Sequence, residues 1–293
     1  MKAAIYSQKK DLDTFLYLSK FISELEKRGV ESVLYEGLSV DLAFSKHFKT
    51  FNDKEELKAL EVDLFFSFGG DGTILNALIF VQDLEIPIVG VNTGRLGFLA
   101  CFSKEEIFQN IDKILAGETI LSRRSVIEVS AGNSKIDFPY ALNDLSITRK
   151  ETTSMITIDS YIDDEFLTVF WGDGLVISTP TGSTAYNLSC GGPIISPRTD
   201  DFVLTPIAPH NLNVRPIILK DDVEIKLNVE SRVPEFLLSL DSRLYNVSTD
   251  DPITVKKANF EVSLMMTKRI NFYETLRQKL LWGKDKRTTG SVS

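Results

Sequence analysis

The chain has 293 residues, 43% hydrophobic and 25% charged, with 33 Lys and Arg against 41 Asp and Glu, a formal charge of −8. That length and balance suit a folded protein of about two domains and exclude a disordered chain. An acidic chain also argues against nucleic-acid partners, which need a basic face, but not against a small anion held by a few local N–H groups.

Two cysteines, Cys101 and Cys190, and two histidines, His47 and His210, leave no disulfide framework and no Cys/His metal cluster. The opening residues hold too short an apolar run for a signal peptide. No apolar stretch approaches the roughly 18 residues of a membrane helix. The expectation is a cytoplasmic protein with no membrane partner.

In chain order, residues 3–6 read as a buried strand and 11–28 as a helix with Phe15, Leu18, Ile22 and Leu25 at helical spacing. Gly29 stops that helix, 32–35 form a second strand, and 40–47 a weaker helical stretch. A third strand at 62–68 leads to a helix over 73–81, a fourth at 87–91 to a helix over 104–115. Alternation of this kind predicts a mostly parallel sheet covered on both faces. From about residue 119 the texture changes to short strand-like runs at 120–130, 134–140, 144–149, 155–162, 165–170, 217–229, 235–240 and 253–266. These predict a layered or sandwich-like all-β domain. The expected division is therefore an α/β domain over 1–118, a β-rich domain over 119–266, and a C-terminal arm over 267–293. In that arm, 272–282 would be a short helix packing back on the first domain, and 284–293 a frayed tail.

Two segments break local rules, and function is sought there. The first is Gly69-Gly70-Asp71-Gly72-Thr73, at the carboxyl end of a parallel strand, where open α/β sheets bind ligands. Its glycines let backbone N–H groups approach a phosphate, and the following helix adds its positive end, with Thr73 as a cap or phosphate contact. Asp71 repels the phosphates that such a loop attracts, so it suits an incoming hydroxyl or a Mg²⁺ ion. The plainer alternative is a glycine-rich turn in which Asp71 caps the helix. No P-loop Lys follows, and residues 90–97 lack dinucleotide GxGxxG spacing.

The second segment runs from Gly172-Asp173-Gly174 through Pro180-Thr181-Gly182-Ser183-Thr184-Ala185-Tyr186 to Gly191-Gly192-Pro193. Thr179, Thr181, Ser183 and Thr184 can offer hydroxyls, while Tyr186 offers a flat face and Ala185 leaves room for a ring. That surface suits a nucleotide; the alternative is a loop capping a helix over 185–190. Asn92 and Phe98 lie on the same sheet edge as Asp71; Asn92 can hydrogen-bond a ribose or base, and Phe98 could wall an adenine pocket or equally be a core aromatic. Asn143 and Asp144 are adjacent, so a strand would aim only one at a ligand unless a bulge or strand end intervenes. His210, between prolines, reads as structural, and no G-x-S-x-G elbow supports a hydrolase.

These blocks, with Asn92-Thr93-Gly94-Arg95-Leu96-Gly97-Phe98-Leu99, Thr205-Pro206-Ile207-Ala208-Pro209-His210 and Leu276-Arg277-Gln278-Lys279-Leu280-Leu281-Trp282-Gly283, resemble the bacterial NAD kinases in order and type across about residues 65–283. The resemblance implies an α/β domain and a layered β domain with NAD between them. It also implies phosphoryl transfer from ATP to the 2′-hydroxyl of the adenosine ribose, a divalent cation such as Mg²⁺, and a homodimer or homotetramer. Asp71 would be the catalytic carboxylate, with Gly72 beside it and Gly69, Gly70, Thr73 and Asn92 near the donor phosphates. Asn143 and Asp144 would hold ribose hydroxyls and Asp173 the nicotinamide carboxamide, while Thr184, Ala185, Tyr186 and Ser189 would line the dinucleotide site beside Phe98. No residue is assigned to the metal, which the phosphates would hold, with Asp71 a further candidate.

Three positions depart from the family pattern: Asp144 where Glu is usual, Asp241-Ser242 where Asp-Gly is frequent, and Trp171 before Gly172. Two rival readings use the same residues. A lipid or small-alcohol kinase would share the 69–73 loop but has no need of 180–186. A non-catalytic dinucleotide-binding regulator has no need of Asp71.

Overall fold

The computed structural model describes residues 1–39, 48–94, 97–150, 154–266 and 272–281. The helix expected over 40–47 and the tail from 284 onward lie outside the described residues. In chain order the elements are β1 (Lys2–Ser7), α1 (Leu12–Glu26), β2 (Glu31–Tyr35), α2 (Glu36–Ser39), β3 (Lys49–Phe51), α3 (Lys54–Ala59), β4 (Leu64–Gly69), α4 (Asp71–Val81), β5 (Ile88–Asn92), β6 (Phe102–Ser103) and α5 (Glu106–Leu115). Next come β7 (Ile120–Ala131), β8 (Tyr140–Ala141), β9 (Asp144–Thr148), β10 (Ile156–Ile162), β11 (Glu165–Gly172), β12 (Gly174–Ser178) and α6 (Tyr186–Ser189). The chain continues with β13 (Asp201–Ile207), β14 (Ile217–Lys220), β15 (Ile225–Glu230), β16 (Glu235–Leu240), β17 (Arg243–Ser248), β18 (Ile253–Met266) and α7 (Phe272–Leu280).

The N-terminal strands run β3-β2-β1-β4-β5, all parallel. Their apolar runs are continuous because helices cover both faces. Phe66, Phe68, Val89 and Val91 face α1 and α5, whereas Phe65 and Ile88 face α3 and α4. Helix α1 begins where the Asp11 carboxylate accepts the Thr14 N–H at 2.8 Å, and it buries Leu18, Phe21, Ile22 and Leu25.

Beyond β5 the sheet changes character. Strand β18 meets β5 in parallel at Leu264–Ile88, then runs antiparallel to β7 and β15, and the sheet continues through β10 to β11. A second, wholly antiparallel sheet has the order β14-β13-β12-β9-β16-β17. Between the two sheets, Ile127, Ile158 and Leu227 from one interdigitate with Leu145, Leu175, Phe202 and Leu238 from the other. The α/β unit with a parallel sheet and the layered β unit are thus both present.

Two strand readings are corrected. Residues 134–140 are a turn, with only Tyr140–Ala141 joining β7. The Asp251 carboxylate accepts from the Asn133 amide at 2.9 Å and the Ser134 hydroxyl at 2.6 Å, diverting the chain from the ladder. The run 217–229 is two strands, β14 and β15, which belong to different sheets.

Candidate active site

Strand β4 ends at Gly69, and Asp71 opens α4. Asp71 does not cap its own helix. Its Oδ2 accepts the Phe98 N–H at 2.7 Å, and its Oδ1 accepts those of Leu99 at 3.0 Å and Ala100 at 3.3 Å. One carboxylate thus ties the loop after β5 onto the start of α4. The approach is so close that a Cβ on Gly97 would fall 1.7 Å from Asp71 Oδ1. Gly70 and Gly72 instead front open space, leaving their backbone accessible to a ligand. Gly69 makes room for Thr73, whose hydroxyl a Cβ would meet at 2.0 Å. Thr73 itself is buried, with its hydroxyl donating to the Gln8 side chain at 3.4 Å. Asn92 is also buried, and its Oδ1 accepts the Gly94 N–H at 2.8 Å.

Asn143 and Asp144 stand at the start of β9, the strand end that lets both serve one site. Asp241 organises them: its carboxylate accepts the N–H groups of Leu142 at 2.6 Å, Asn143 at 2.8 Å and Asp144 at 3.3 Å. Asp241 and Ser242 form the β16–β17 turn with φ of 46° and 75°, so the serine stands in left-handed backbone where glycine is at ease. Burial, and then the neighbouring Asp241 carboxylate, push the Asp144 carboxyl up to about 7, against a lowering contribution from the Tyr186 amide. Burial likewise raises Asp241, against its amide donors.

The hydroxyl-rich loop lies directly on this strand end. A Cβ on Gly182 would fall 2.0 Å from the Asn143 carbonyl oxygen. Of the hydroxyls expected to serve a ligand, three donate within the protein, Thr184 to the Thr181 carbonyl at 3.4 Å among them. Thr179 donates to the Leu142 carbonyl at 2.6 Å, and Ser183 to that of Pro180 at 2.7 Å. Asn187 is a hub the sequence did not flag: its amide donates to the Ser183 and Pro193 carbonyls, and its Oδ1 accepts the Thr205 hydroxyl at 2.6 Å. What remains outward is Thr184, Ala185, exposed Tyr186 and Ser189. Tyr186 lies within the fields of both Asp144 and Asp173. Asp173, between β11 and β12, pairs through both oxygens with Arg149, at 3.1 Å from Nε and 3.2 Å from Nη2. Trp171 stacks on His210 with centroids 4.2 Å apart, giving the histidine a packing role.

A cavity of about 730 Å³ joins the two halves, with Phe98 and Leu99 on one wall and Thr181 and Thr184 on another. Helix α7 closes it with Phe272, Tyr273 and Thr275, and Lys279 Nζ lies 5.7 Å over the Phe98 ring. Asp71, Asn143, Asp144 and Asp173 are outside that wall. Among the described residues no three His, Cys, Asp or Glu side chains gather as a metal site.

A parallel α/β sheet ending in a glycine–aspartate turn, faced by a β unit presenting hydroxyls, an aromatic ring and carboxylates, defines a two-part nucleotide phosphotransferase. Two family models match: the ATP-NAD kinase N-terminal domain over residues 16–119 and the ATP-NAD kinase C-terminal domain over residues 142–267. The NAD kinase of Christiangramia forsetii is 45% identical, covering 98% of this chain and 100% of its own. That of Cytophaga hutchinsonii is 42% identical over 94% and 96% of the two chains. Among solved structures, yeast NADH kinase complexed with NADH superposes with a TM-score of 0.88 at 25% identity, covering 99% of this chain and 90% of that one. An NAD kinase from Archaeoglobus fulgidus in complex with ATP gives 0.77 at 25% identity, with 96% and 99% covered. The chain belongs to the ATP-NAD kinase family and is a phosphotransferase.

Proposed function

We propose that the protein transfers the γ-phosphoryl group of ATP to the 2′-hydroxyl of the adenosine ribose of NAD, forming NADP and ADP, with Asp71 accepting the hydroxyl proton. The observation that carries the role of Asp71 is its fixed carboxylate at an open glycine turn. A carboxylate offers about four lone-pair sites, and three amide N–H groups use Asp71. One site remains for a substrate hydroxyl, already oriented by the bonds that hold the others. Phosphoryl transfer asks chiefly for in-line positioning and charge neutralisation, to which a placed proton acceptor adds.

In this reading Asn143 and Asp144 take ribose hydroxyls, and Thr184, Ala185, Tyr186 and Ser189 line the dinucleotide beside Phe98. A carboxyl titrating near 7 lets Asp144 donate as well as accept a hydrogen bond to a sugar. Asp173 addresses the nicotinamide carboxamide from its pairing with Arg149. The Gly70 and Gly72 backbone serves the donor phosphates, while Thr73 and Asn92 support it from within. A divalent cation, Mg²⁺ by preference, would take its ligands from those phosphates and offset their charge. The division near residue 119, a homo-oligomeric state and a cytoplasmic setting complete the proposal; no helix among the described residues is long and apolar enough to cross a membrane.

Purified protein with Mg·ATP and NAD should generate NADP, read by a coupled NADP-specific dehydrogenase; none above a protein-free control would sink the reading. Asp71→Asn should lower kcat by about 10²–10⁴-fold, the usual contribution of a positioned acid or base, with NAD affinity kept. Unchanged turnover in that variant would remove Asp71 from the chemistry.

A further inference from the structure

Arg149 follows β9, and Asp173 stands between β11 and β12. Two glycines flank the aspartate. A Cβ on Gly172 would fall 2.8 Å from the Ile207 carbonyl oxygen, and one on Gly174 2.1 Å from that of Ile147. The backbone takes this close path only because both positions lack a side chain. It is held there by the Asp173 N–H, which donates to the Ile207 carbonyl at 3.0 Å, and by the Arg149 N–H, which donates to the Asp173 carbonyl at 3.1 Å. The side chains add a second link, with Nε 3.1 Å from Oδ1 and Nη2 3.2 Å from Oδ2. A planar guanidinium meeting a planar carboxylate at two points fixes the orientation of the carboxylate as well as its place.

Arg149 keeps 27% of its side-chain surface exposed and Asp173 33%. An ion pair that open contributes modestly to folding, so stability alone does not account for so constrained an arrangement. Its surroundings point to a ligand instead. The exposed Tyr186 feels the charges of both Asp173 and Asp144, which sets the pair at the border of the surface assigned to the dinucleotide. Paired with a guanidinium, the Asp173 carboxylate accepts hydrogen bonds and donates none. Two of its roughly four lone-pair sites are taken by Arg149, and the others suit the N–H groups of a ligand.

We infer that the Arg149–Asp173 pair makes the protein select a dinucleotide ending in a carboxamide and reject its carboxylate counterpart, deamido-NAD, with Asp173 as the selecting group and Arg149 as the positioning residue. The inference rests on the reading that sets the nicotinamide beside Asp173. The two dinucleotides are nearly equal in shape there, so size does not separate them. A carboxamide brings two N–H donors to the pinned acceptor. A carboxylate brings a second negative charge, with no hydrogen between the two sets of oxygens, and like charges so placed are strongly disfavoured. Because Arg149 fixes the orientation of Asp173, the acceptor cannot turn away to accommodate the acid.

The test compares three dinucleotides that differ in one substituent: NAD, deamido-NAD, and the 3-acetylpyridine analogue, which keeps the carbonyl but has a methyl group in place of the amide nitrogen. Each is titrated by calorimetry into the protein without ATP, then assayed with Mg·ATP by ADP release, so that all three are read on one scale. Sites that hydrogen-bond a substrate N–H reject analogues lacking it by large factors. Partial exposure moderates that here, and wild type should bind NAD about 100-fold tighter than deamido-NAD, with the acetylpyridine analogue between them. Equal affinity for NAD and deamido-NAD would overturn the inference. So would an acetylpyridine analogue bound as tightly as NAD, since no N–H would then be recognised.

Two variants separate selection from structure. Asp173→Asn removes the repelling charge, and should bind deamido-NAD about tenfold more tightly than wild type does while binding NAD less well. A gain of affinity for one ligand does not come from a damaged fold. An Asp173→Asn variant that weakens all three dinucleotides alike, with their ratios unchanged, would mark the pair as purely structural and refute the inference. Arg149→Met leaves Asp173 charged but unpinned: it should raise the NAD KM about tenfold, change kcat less, and keep the preference for NAD over deamido-NAD. Loss of that preference with Asp173 intact would overturn the assignment of selection to Asp173. If Asp173→Asn does not fold, the wild-type order decides: NAD, then the acetylpyridine analogue, then deamido-NAD upholds the inference, and any other order overturns it. Absence of ADP release with that order of affinities intact would count against the kinase reading alone.

Discussion

Gly97 and Asp71 share a space that admits no extra atom, and under the proposed role of Asp71 turnover depends on that fit. Gly97→Ala should push the 97–100 loop off Asp71 and lower kcat about 100-fold, since small misplacements near a reacting group cost on that order. A near-unchanged Tm alongside that loss would separate positioning from folding, and wild-type kcat would refute it. Asp144 offers a pH readout. Its carboxyl titrates near 7 in the folded state, well above an ordinary aspartate in an unfolded chain, so the folded protein binds that proton more tightly than the unfolded chain. Its contribution to stability is full at acid pH, declines as pH rises from about 4 to 7, and is flat above. Asp144→Asn should therefore flatten the decline in Tm across that window; an unchanged slope would count against it. Ser242, at φ 75°, should gain about 0.4–1 kcal/mol on substitution by Gly, read by denaturant unfolding. Asp71 was legible in sequence because an acid among glycines contradicts a phosphate loop, whereas its three amide donors come from a loop 27 to 29 residues onward, beyond any local pattern. Asp241 was harder to read, since its role lies entirely in contacts with the far-off 142–144 segment.

Among the elements, α7 is a peripheral helix that reaches the cavity wall. It buries Thr275 and Leu276 and sets Lys279 over Phe98. Leu276→Ala should lower stability by about 2–3 kcal/mol, within the range for deleting a buried leucine side chain, and raise the NAD KM more than it lowers kcat. A stability loss with unaltered KM would confine the helix to a structural part. The helices and parallel strands of the first half were readable because apolar spacing and uninterrupted burial are local signals. Strand β12 was not, although all five of its residues are buried. Its Gly-Asp-Gly entrance and Thr-Pro exit read as loop, and only pairing with β9 and β13 makes it a strand. The same tertiary dependence hid β17 and the division of 217–229 between two sheets.

At the scale of the whole molecule, a chain of net charge −8 can serve a polyphosphate substrate because the groups proposed to hold it are local backbone N–H groups and hydroxyls. The two halves also share one continuous sheet. A fragment of residues 1–118 lacks the β18 edge that lies against β5, so it should aggregate or unfold well below the full chain, which should melt in a single transition. Strand β18 has a mechanical consequence. Its 14 residues span roughly 45 Å at the usual rise per residue, with one end in the layered β unit and the other in the parallel sheet. The two halves are therefore joined by a girder rather than a tether, and they cannot swing as separate bodies on a slack linker. Its pairing with β7 shifts register between Lys257 and Glu261, where a bulge disrupts the ladder locally. Any closure over a substrate would have to bend that shared strand, and the break in its ladder lies beside Glu261, on the cavity wall.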